Sequence, residues 1–359
     1  EGLHNLTLSA ENAAGNTIAN DTPFTFTVDT EAPDAPSIIL VTDDVGAYQG
    51  ELKSGDTTDD RRPTFSGTAE PNTQVKIYDG QTLLGTATVG SNGEWSLTPT
   101  LALAEGEHDL RFVTVDGAGN VGVETPFNLT VDTSASVAPA ITSIADDVGL
   151  YKGNLANNQV TDDTQPTLNG TGPEGATITI YDNGEEIGTA TVEGGVWNFT
   201  PETALEGGVH IFTVTSTNAA GNVSPASPPF TINIDVDAPV KPEIGEVTDS
   251  VDEYTGPLTS GDETNDPLPT VSGTGNEGDI ITLYNGDTVL GTTVVGEDGR
   301  WSLTPDNPLT EGTYQLHVTA TDPAGNVSDP SDEFEIRVDL SAPADPVLVS
   351  VEDNTNTTT

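Results

Sequence analysis

The chain contains no cysteine and no methionine, and it is poor in bases: 9 Lys and Arg stand against 58 Asp and Glu in 359 residues, a formal charge of −49. Without cysteine there is no disulfide-stapled scaffold, no thiolate zinc site and no thiol nucleophile. A charge of that sign repels phosphate, so nucleic acid and anionic membrane surfaces are excluded as partners, and cations become the natural counter-partner. No apolar run approaches the roughly 18 residues that span a bilayer, so membrane insertion is not expected. Glu1-Gly2-Leu3-His4 lacks the basic start and apolar stretch of a leader peptide, and the start reads as a cut into a longer chain. Acidic chains with few aromatics are often disordered. Here the acids sit at fixed phases between alternating apolar segments, which is the pattern of folded units whose charge is gathered at particular places.

What the chain does have is repetition. Ala-Gly-Asn occurs at 14–16, 118–120, 220–222 and 324–326. Trp95, Trp197 and Trp301 each lie in a Gly-x-Trp-x-x-Thr-Pro string, and Tyr78, Tyr181 and Tyr284 are 103 residues apart. Asp29, Asp132, Asp235 and Asp339 recur at spacings of 103, 103 and 104. A unit of that length is a compact domain rather than a solenoid repeat. The expected organisation is the end of a preceding copy over 1–30, complete copies over 31–133, 134–236 and 237–340, and the start of a following copy over 341–359.

Within a copy, short alternating runs are separated by Gly, Pro, Asn and Asp every 8–12 residues, with no stretch of helical period. The first copy predicts strands at 37–41, 63–68, 74–78, 83–89, 94–97, 109–115 and 125–131. Seven short strands in ~100 residues predict an all-β chain of tandem immunoglobulin-like sandwiches, arranged as an elongated rod. Trp95 with Leu97, Leu110 with Phe112, and Val75 with Ile77 share strand faces and form the expected core.

Strand order then sorts the carboxylates. In a seven-strand antiparallel order, the connection from strand one to strand two and the exit of strand seven share one end of the domain. The first holds Asp43, Asp44, Asp59 and Asp60, with counterparts Asp146, Asp147, Asp162 and Asp163 and then Asp249 and Asp266. The second holds the linker Asp132. The next copy presents Glu174 and the loop Asn218-Ala219-Ala220-Gly221-Asn222 across the joint, with Asp116 and Asp322 in the place of Asn218 in the other copies. Each joint should gather several carboxylates in a small volume, where like charges repel. Calcium, with ~6–8 oxygen ligands in flexible geometry, fits such a set better than magnesium, and zinc is disfavoured without cysteine. No stretch forms an EF-hand loop. The competing reading is that these aspartates only cap and solvate turns.

The strings Val28-Asp29-Thr30-x-Ala32-Pro33, Thr42-Asp43-Asp44-Val45-Gly46-x-Tyr48-x-Gly50, Pro63-Thr64-x-Ser66-Gly67-Thr68-Ala69 and Asp116-Gly117-Ala118-Gly119-Asn120 resemble bacterial Ig-like repeats of giant type I-secreted adhesins. The resemblance covers nearly the whole chain. It implies a secreted, bacterial cell-surface, monomeric stalk for contact with host cells through a receptor or glycan. It also implies calcium at the joints, carried onto Asp29, Asp132, Asp235, Asp339, the Asp-Asp pairs and the Asp-x-Ala-Gly-Asn loops. Copy two departs from the pattern with Asn218, and copy three with Asp249-Ser250.

An enzyme is not expected. Catalytic residues should be unique, whereas these acids recur in every copy, and no Gly-x-Ser-x-Gly or phosphate loop is present. His4, His108 and His210 share a phase that Tyr314 fills in copy three, which points to a role like the tyrosine corner of Ig domains. His317, in phase with Arg111, reads as a solvated strand residue. The alternative function is a glycan-binding module, or an accessory domain of a secreted carbohydrate-active protein, with the three Trp stacking on sugars. Their recurrence in one phase argues instead for core positions.

Overall fold

Period-two alternation is what makes these segments strands, because successive side chains point to opposite faces and one face can be buried. The computed structural model describes residues 1–252 and 255–351. The expected start of a further copy therefore lies outside the described residues from position 352 onward. The described chain has no helix. It forms two compact units. One comprises Glu1–Thr142, Asn169–Phe199 and Phe212–Pro229; the other comprises Ser143–Leu168, Thr200–Ile211 and the chain from Phe230 onward.

In the first unit, β1 (Gly2–Leu6) pairs with β4 (Phe24–Val28), and β2 (Ser9–Glu11) with β3 (Thr17–Ala19). The first complete repeat follows as β5 (Ser37–Asp43), β6 (Gly50–Glu51), β7 (Thr57–Thr58), β8 (Thr64–Thr68), β9 (Gln74–Asp79), β10 (Thr82–Thr88), β11 (Glu94–Leu97), β12 (Gly106–Val115) and β13 (Thr125–Val131). They make a five-stranded sheet in the order β10-β9-β12-β13-β7 and a four-stranded sheet in the order β11-β8-β5-β6. The connection read as a loop thus carries two short strands. β7 pairs in parallel with β13, through Thr57 to Thr130 and Thr58 to Val131. Two-residue strands are too short to show alternation, which is why the sequence did not reveal them. Their effect is to pin the Asp59-Asp60 segment beside the exit strand.

The two sheets enclose Phe65, Val75, Ile77, Trp95, Leu110, Phe112, Phe127 and Leu129, with Leu97 partly buried against them. Phe65 meets Phe112 edge-on at 5.2 Å between centroids, and Trp95 lies 5.9 Å from Phe112. This aromatic packing stands where a disulfide would otherwise pin the sheets; each such pair adds roughly 0.5–1.5 kcal/mol beyond its buried area.

The third repeat, within the second unit, has the same two sheets. Its core holds Val271, Ile281, Leu283, Trp301, Val318 and Ile336. The middle repeat shares the pairing pattern. In the first unit Thr177–Asp182 pairs with Glu185–Thr191 and with residues 212–217. In the second unit Gln159–Thr161 runs parallel to residues 232–234.

The corner residues behave as expected. His108 Nε2 lies 2.9 Å from Ala104 O, His210 Nε2 2.8 Å from Glu206 O, and the Tyr314 hydroxyl donates to Thr310 O at 2.9 Å. Each ring ties the start of the long strand to the carbonyl four residues upstream. His317 is not simply solvated. It stacks on Tyr284 at 5.1 Å, as Arg111 sits over Tyr78 at 5.5 Å, because a flat side chain on a half-exposed strand covers the neighbouring ring.

Candidate cation sites where repeats meet

Each complete repeat ends in a cluster built on one threonine. In the first repeat, Asp43 is 4% exposed. Its Oδ1 accepts the Val45 N–H at 2.8 Å, and its Oδ2 accepts the Thr58 hydroxyl. The Thr58 oxygen in turn accepts the Asp60 N–H at 3.0 Å, and Asp60 Oδ1 accepts the Arg62 N–H at 2.7 Å. Two carboxylate oxygens are left over. Asp60 Oδ2 and Asp59 Oδ1 are buried with no hydrogen-bond partner. Burial first, and then the charge of Asp43, raise the pKa of Asp59. Burial likewise leads for Asp60, with Asp43 and Asp44 adding to it. Asp59 is tucked beneath Gly46, whose φ is +67° and where an added Cβ would fall 2.0 Å from Asp59 Oδ2. Asp44 itself is exposed.

The second repeat repeats the arrangement. Asp146 accepts the Val148 N–H and the Thr161 hydroxyl at 3.0 and 2.5 Å. Asp163 accepts the N–H groups of Gln165 and Asp147 at 2.8 and 3.4 Å. Asp162 Oδ1 is buried without a partner. The pKa of Asp162 is raised by burial and then by Asp146, with smaller contributions from Asp163 and Asp322. Asp147 is exposed, with its carbonyl accepting Lys152 Nζ at 2.8 Å.

In the third repeat the charge is halved and the oxygens are satisfied. Asp249 accepts Val251 N–H and the Thr264 hydroxyl at 2.8 and 2.6 Å. Asp266 Oδ2 accepts both the N–H and the hydroxyl of Ser250 at 2.8 Å. Asn265 occupies the place of Asp59 and Asp162, and its Nδ2 donates to Asp252 O at 3.4 Å.

The linker aspartates form the second element. The N–H groups of Asp132, Asp235 and Asp339 each donate to the threonine carbonyl of their own cluster (Thr58, Thr161, Thr264) at 2.9 Å. Oδ1 of Asp29, Asp132, Asp235 and Asp339 caps the amide two residues on. The Asn of each Ala-Gly-Asn loop clamps the linker backbone: Nδ2 of Asn120, Asn222 and Asn326 donates to the carbonyls of Asp29, Asp132 and Asp235 at 3.1, 2.7 and 2.8 Å.

The loop aspartates have their oxygens engaged within their own loops. Asp116 Oδ1 accepts three backbone N–H groups, from 118 to 120, and its Oδ2 accepts Asn120 Nδ2 at 2.7 Å. These bonds lower its pKa, the Asn120 side chain most. Asp322 is held in the same way. Glu174, expected to face across the joint, instead accepts the Gly195 N–H at 2.8 Å inside its own repeat.

Three features escaped the sequence reading. The cluster threonines recur at 103 but were not read as clamps. Tyr48 seats against Gly221, and Tyr151 against Gly325, where a Cβ would come within 3.0 and 3.3 Å of them. Glu31, Asp34 and Glu70 join Asp29 and Asp116 around a pocket of about 270 Å³. Among the described residues, no three carboxylate or imidazole side chains already converge as a ready-made metal cage. The three orphaned oxygens nevertheless fit a hard cation, since they are acceptors lacking any donor. The three Trp are 3–4% exposed, so none offers a face to a sugar.

A curated relative, Exoglucanase B of Cellulomonas fimi, is 30% identical over 318 residues, 85% of this chain. The chain spans 25% of that enzyme's length. Among solved structures, fibronectin(III)-like modules of Clostridium thermocellum CbhA match 55% of this chain and 94% of theirs at 16% identity and a TM-score of 0.35. A biofilm-associated protein's BSP domain matches 87% of this chain and 67% of its own at 15% identity and a TM-score of 0.20. The Bacterial Ig-like domain family matches residues 35–133, 139–236 and 242–340, so this chain belongs to that family as three tandem repeats.

Proposed function

We propose that this chain is a calcium-rigidified repeat segment of a giant bacterial cell-surface adhesin, a non-catalytic extracellular stalk and host-contact region exported by type I secretion. The observation that carries the reading is the set of orphaned, buried carboxylate oxygens on Asp59, Asp60 and Asp162. Calcium held there, with Asp43, Asp44, Asp146, Asp147 and Asp163 as neighbours, would supply positive charge where the protein supplies no donor. The linker residues Asp29, Asp132, Asp235 and Asp339, with Asp116 and Asp322, would complete the ligand field at the joints, and Asp249 with Asp266 forms the weakest of the clusters. Binding the folded state alone contributes ~2.7 kcal/mol per site when free ion is a hundredfold above Kd. In ion-poor cytosol the acidic chain would fold less readily, which suits export before folding. Scanning calorimetry and small-angle scattering across a calcium titration test the reading. Rising transition temperatures with a narrowing of the shape distribution are expected; insensitivity of both to calcium and to chelator refutes it.

The likeness to an exoglucanase favours a second reading, an accessory region of a secreted carbohydrate-active protein. Binding to a polysaccharide on a glycan array, together with stability and shape that ignore calcium, favours the second reading over the first. The buried Trp argue against sugar stacking on those rings.

A further inference from the structure

The three threonine-centred clusters differ at two positions. Ser250 stands in the place of Asp44 and Asp147, and Asn265 in the place of Asp59 and Asp162. The other two aspartates are common to all three, and the second of them is nearly sealed from water: Asp60, Asp163 and Asp266 are 4, 3 and 2% exposed. Oδ1 of each accepts the amide two residues on, from Arg62, Gln165 and Leu268, at 2.7, 2.8 and 2.8 Å. Oδ2 separates the copies. In Asp266 it accepts both the N–H and the hydroxyl of Ser250, each at 2.8 Å. In Asp163 it has a single long bond, 3.4 Å from the Asp147 N–H. In Asp60 it is buried with no partner. This order follows the chemistry of the facing residue. Serine brings a hydroxyl that donates, whereas aspartate brings a second carboxylate that only accepts and repels. The other position acts in the same direction. Asp59 and Asp162 each bury an oxygen that has no donor, while Asn265 donates through Nδ2 to Asp252 O.

We infer that Ser250 and Asn265 do in the third repeat the work that a bound cation does in the first two, so that the third cluster stays closed without ion while the other two need one. The inference rests on the calcium reading above and goes beyond it by dividing the repeats. A hard cation is held by oxygen acceptors that no donor has claimed. The first cluster offers two such oxygens and the second offers one. In the third, all four carboxylate oxygens of Asp249 and Asp266 already have donors, from Val251, Thr264, Ser250 and Leu268. An ion entering there must displace hydrogen bonds, and it meets two of the aspartates of the set where the other clusters present four. The calcium response of the chain is therefore carried by its first two complete repeats.

Hydrogen–deuterium exchange by mass spectrometry, on the full chain in calcium and in chelator, tests this without altering any residue. Amides around Asp60 and Asp163 should exchange faster in chelator. They should slow by roughly tenfold when free calcium is about ten times Kd, because binding shifts local opening by that factor. Amides around Asp266 should exchange at the same rate in both. Two paired substitutions exchange the behaviours. Ser250→Asp with Asn265→Asp should make the third cluster open in chelator and close with calcium. Asp44→Ser with Asp59→Asn should make the first indifferent to calcium and protected in chelator. Circular dichroism confirms that each variant is folded, and the unaltered chain decides the question if one is not. Equal slowing by calcium at all three clusters overturns the inference and leaves the calcium reading standing. If no cluster responds to calcium, the calcium reading falls and the inference falls with it.

Discussion

Asp162→Asn tests the electrostatic core of the argument. Asp162 has one buried oxygen with no donor, and burial together with Asp146, Asp163 and Asp322 raises its pKa. A carboxyl whose folded pKa lies above its unfolded value contributes stability below the unfolded pKa and loses it as pH rises through the folded pKa. In chelator, therefore, the native chain should become less stable as pH climbs through and above the carboxylate range, and calcium should suppress that fall. Asn at this position removes the charge and brings a donor, as Asn265 does in the third repeat. An unsatisfied buried polar atom costs about 1–3 kcal/mol. For a repeat of ~100 residues that corresponds to roughly 4–8 °C per kcal/mol. Calorimetry in chelator at neutral pH should show one transition raised by several degrees, a shallower dependence on pH, and a smaller rise on adding calcium. General repulsion among the other acids is common to both proteins, so the difference isolates this residue. A lowered transition in chelator, or an unchanged pH slope, would refute the reasoning.

Phe112→Ala should cost about 3–5 kcal/mol in denaturant titration of the first repeat, because the ring is fully buried against Phe65 and Trp95. Gly149→Ala should lower the second repeat's transition: its φ is +60° and the new Cβ would fall 1.9 Å from Asp162 Oδ2, a strain of about 1–3 kcal/mol. Tyr314→Phe should cost about 0.5–1.5 kcal/mol by removing the corner hydrogen bond to Thr310, read by denaturant titration. Asp132→Ala should speed amide exchange in the Asn218–Asn222 loop while both flanking repeats keep their transitions, because Asn222 still holds the backbone carbonyl at position 132.

The period of 103, the all-β class and the two-faced strands were legible because hydrophobic alternation and turn residues act locally. Trp95, Leu110 and Phe112 could be assigned to the core from spacing alone, and His108 and Tyr314 to one corner role from shared phase. Phase could not rank the acids. Asp60 and Asp116 both recur among the copies, yet one carries an orphaned oxygen and the other is saturated by its own loop. The difference lies in how many donors the fold brings within reach. For Asp60 the donor is the Arg62 N–H, the Thr58 hydroxyl being spent on Asp43; for Asp116 they come from a turn of three amides and Asn120. Composition therefore determined that this chain must manage excess negative charge, and periodicity determined where along the chain it gathers. Only the tertiary structure decided which carboxylates lack a partner, because hydrogen-bond satisfaction depends on the placement of neighbouring groups to within a few tenths of an ångström.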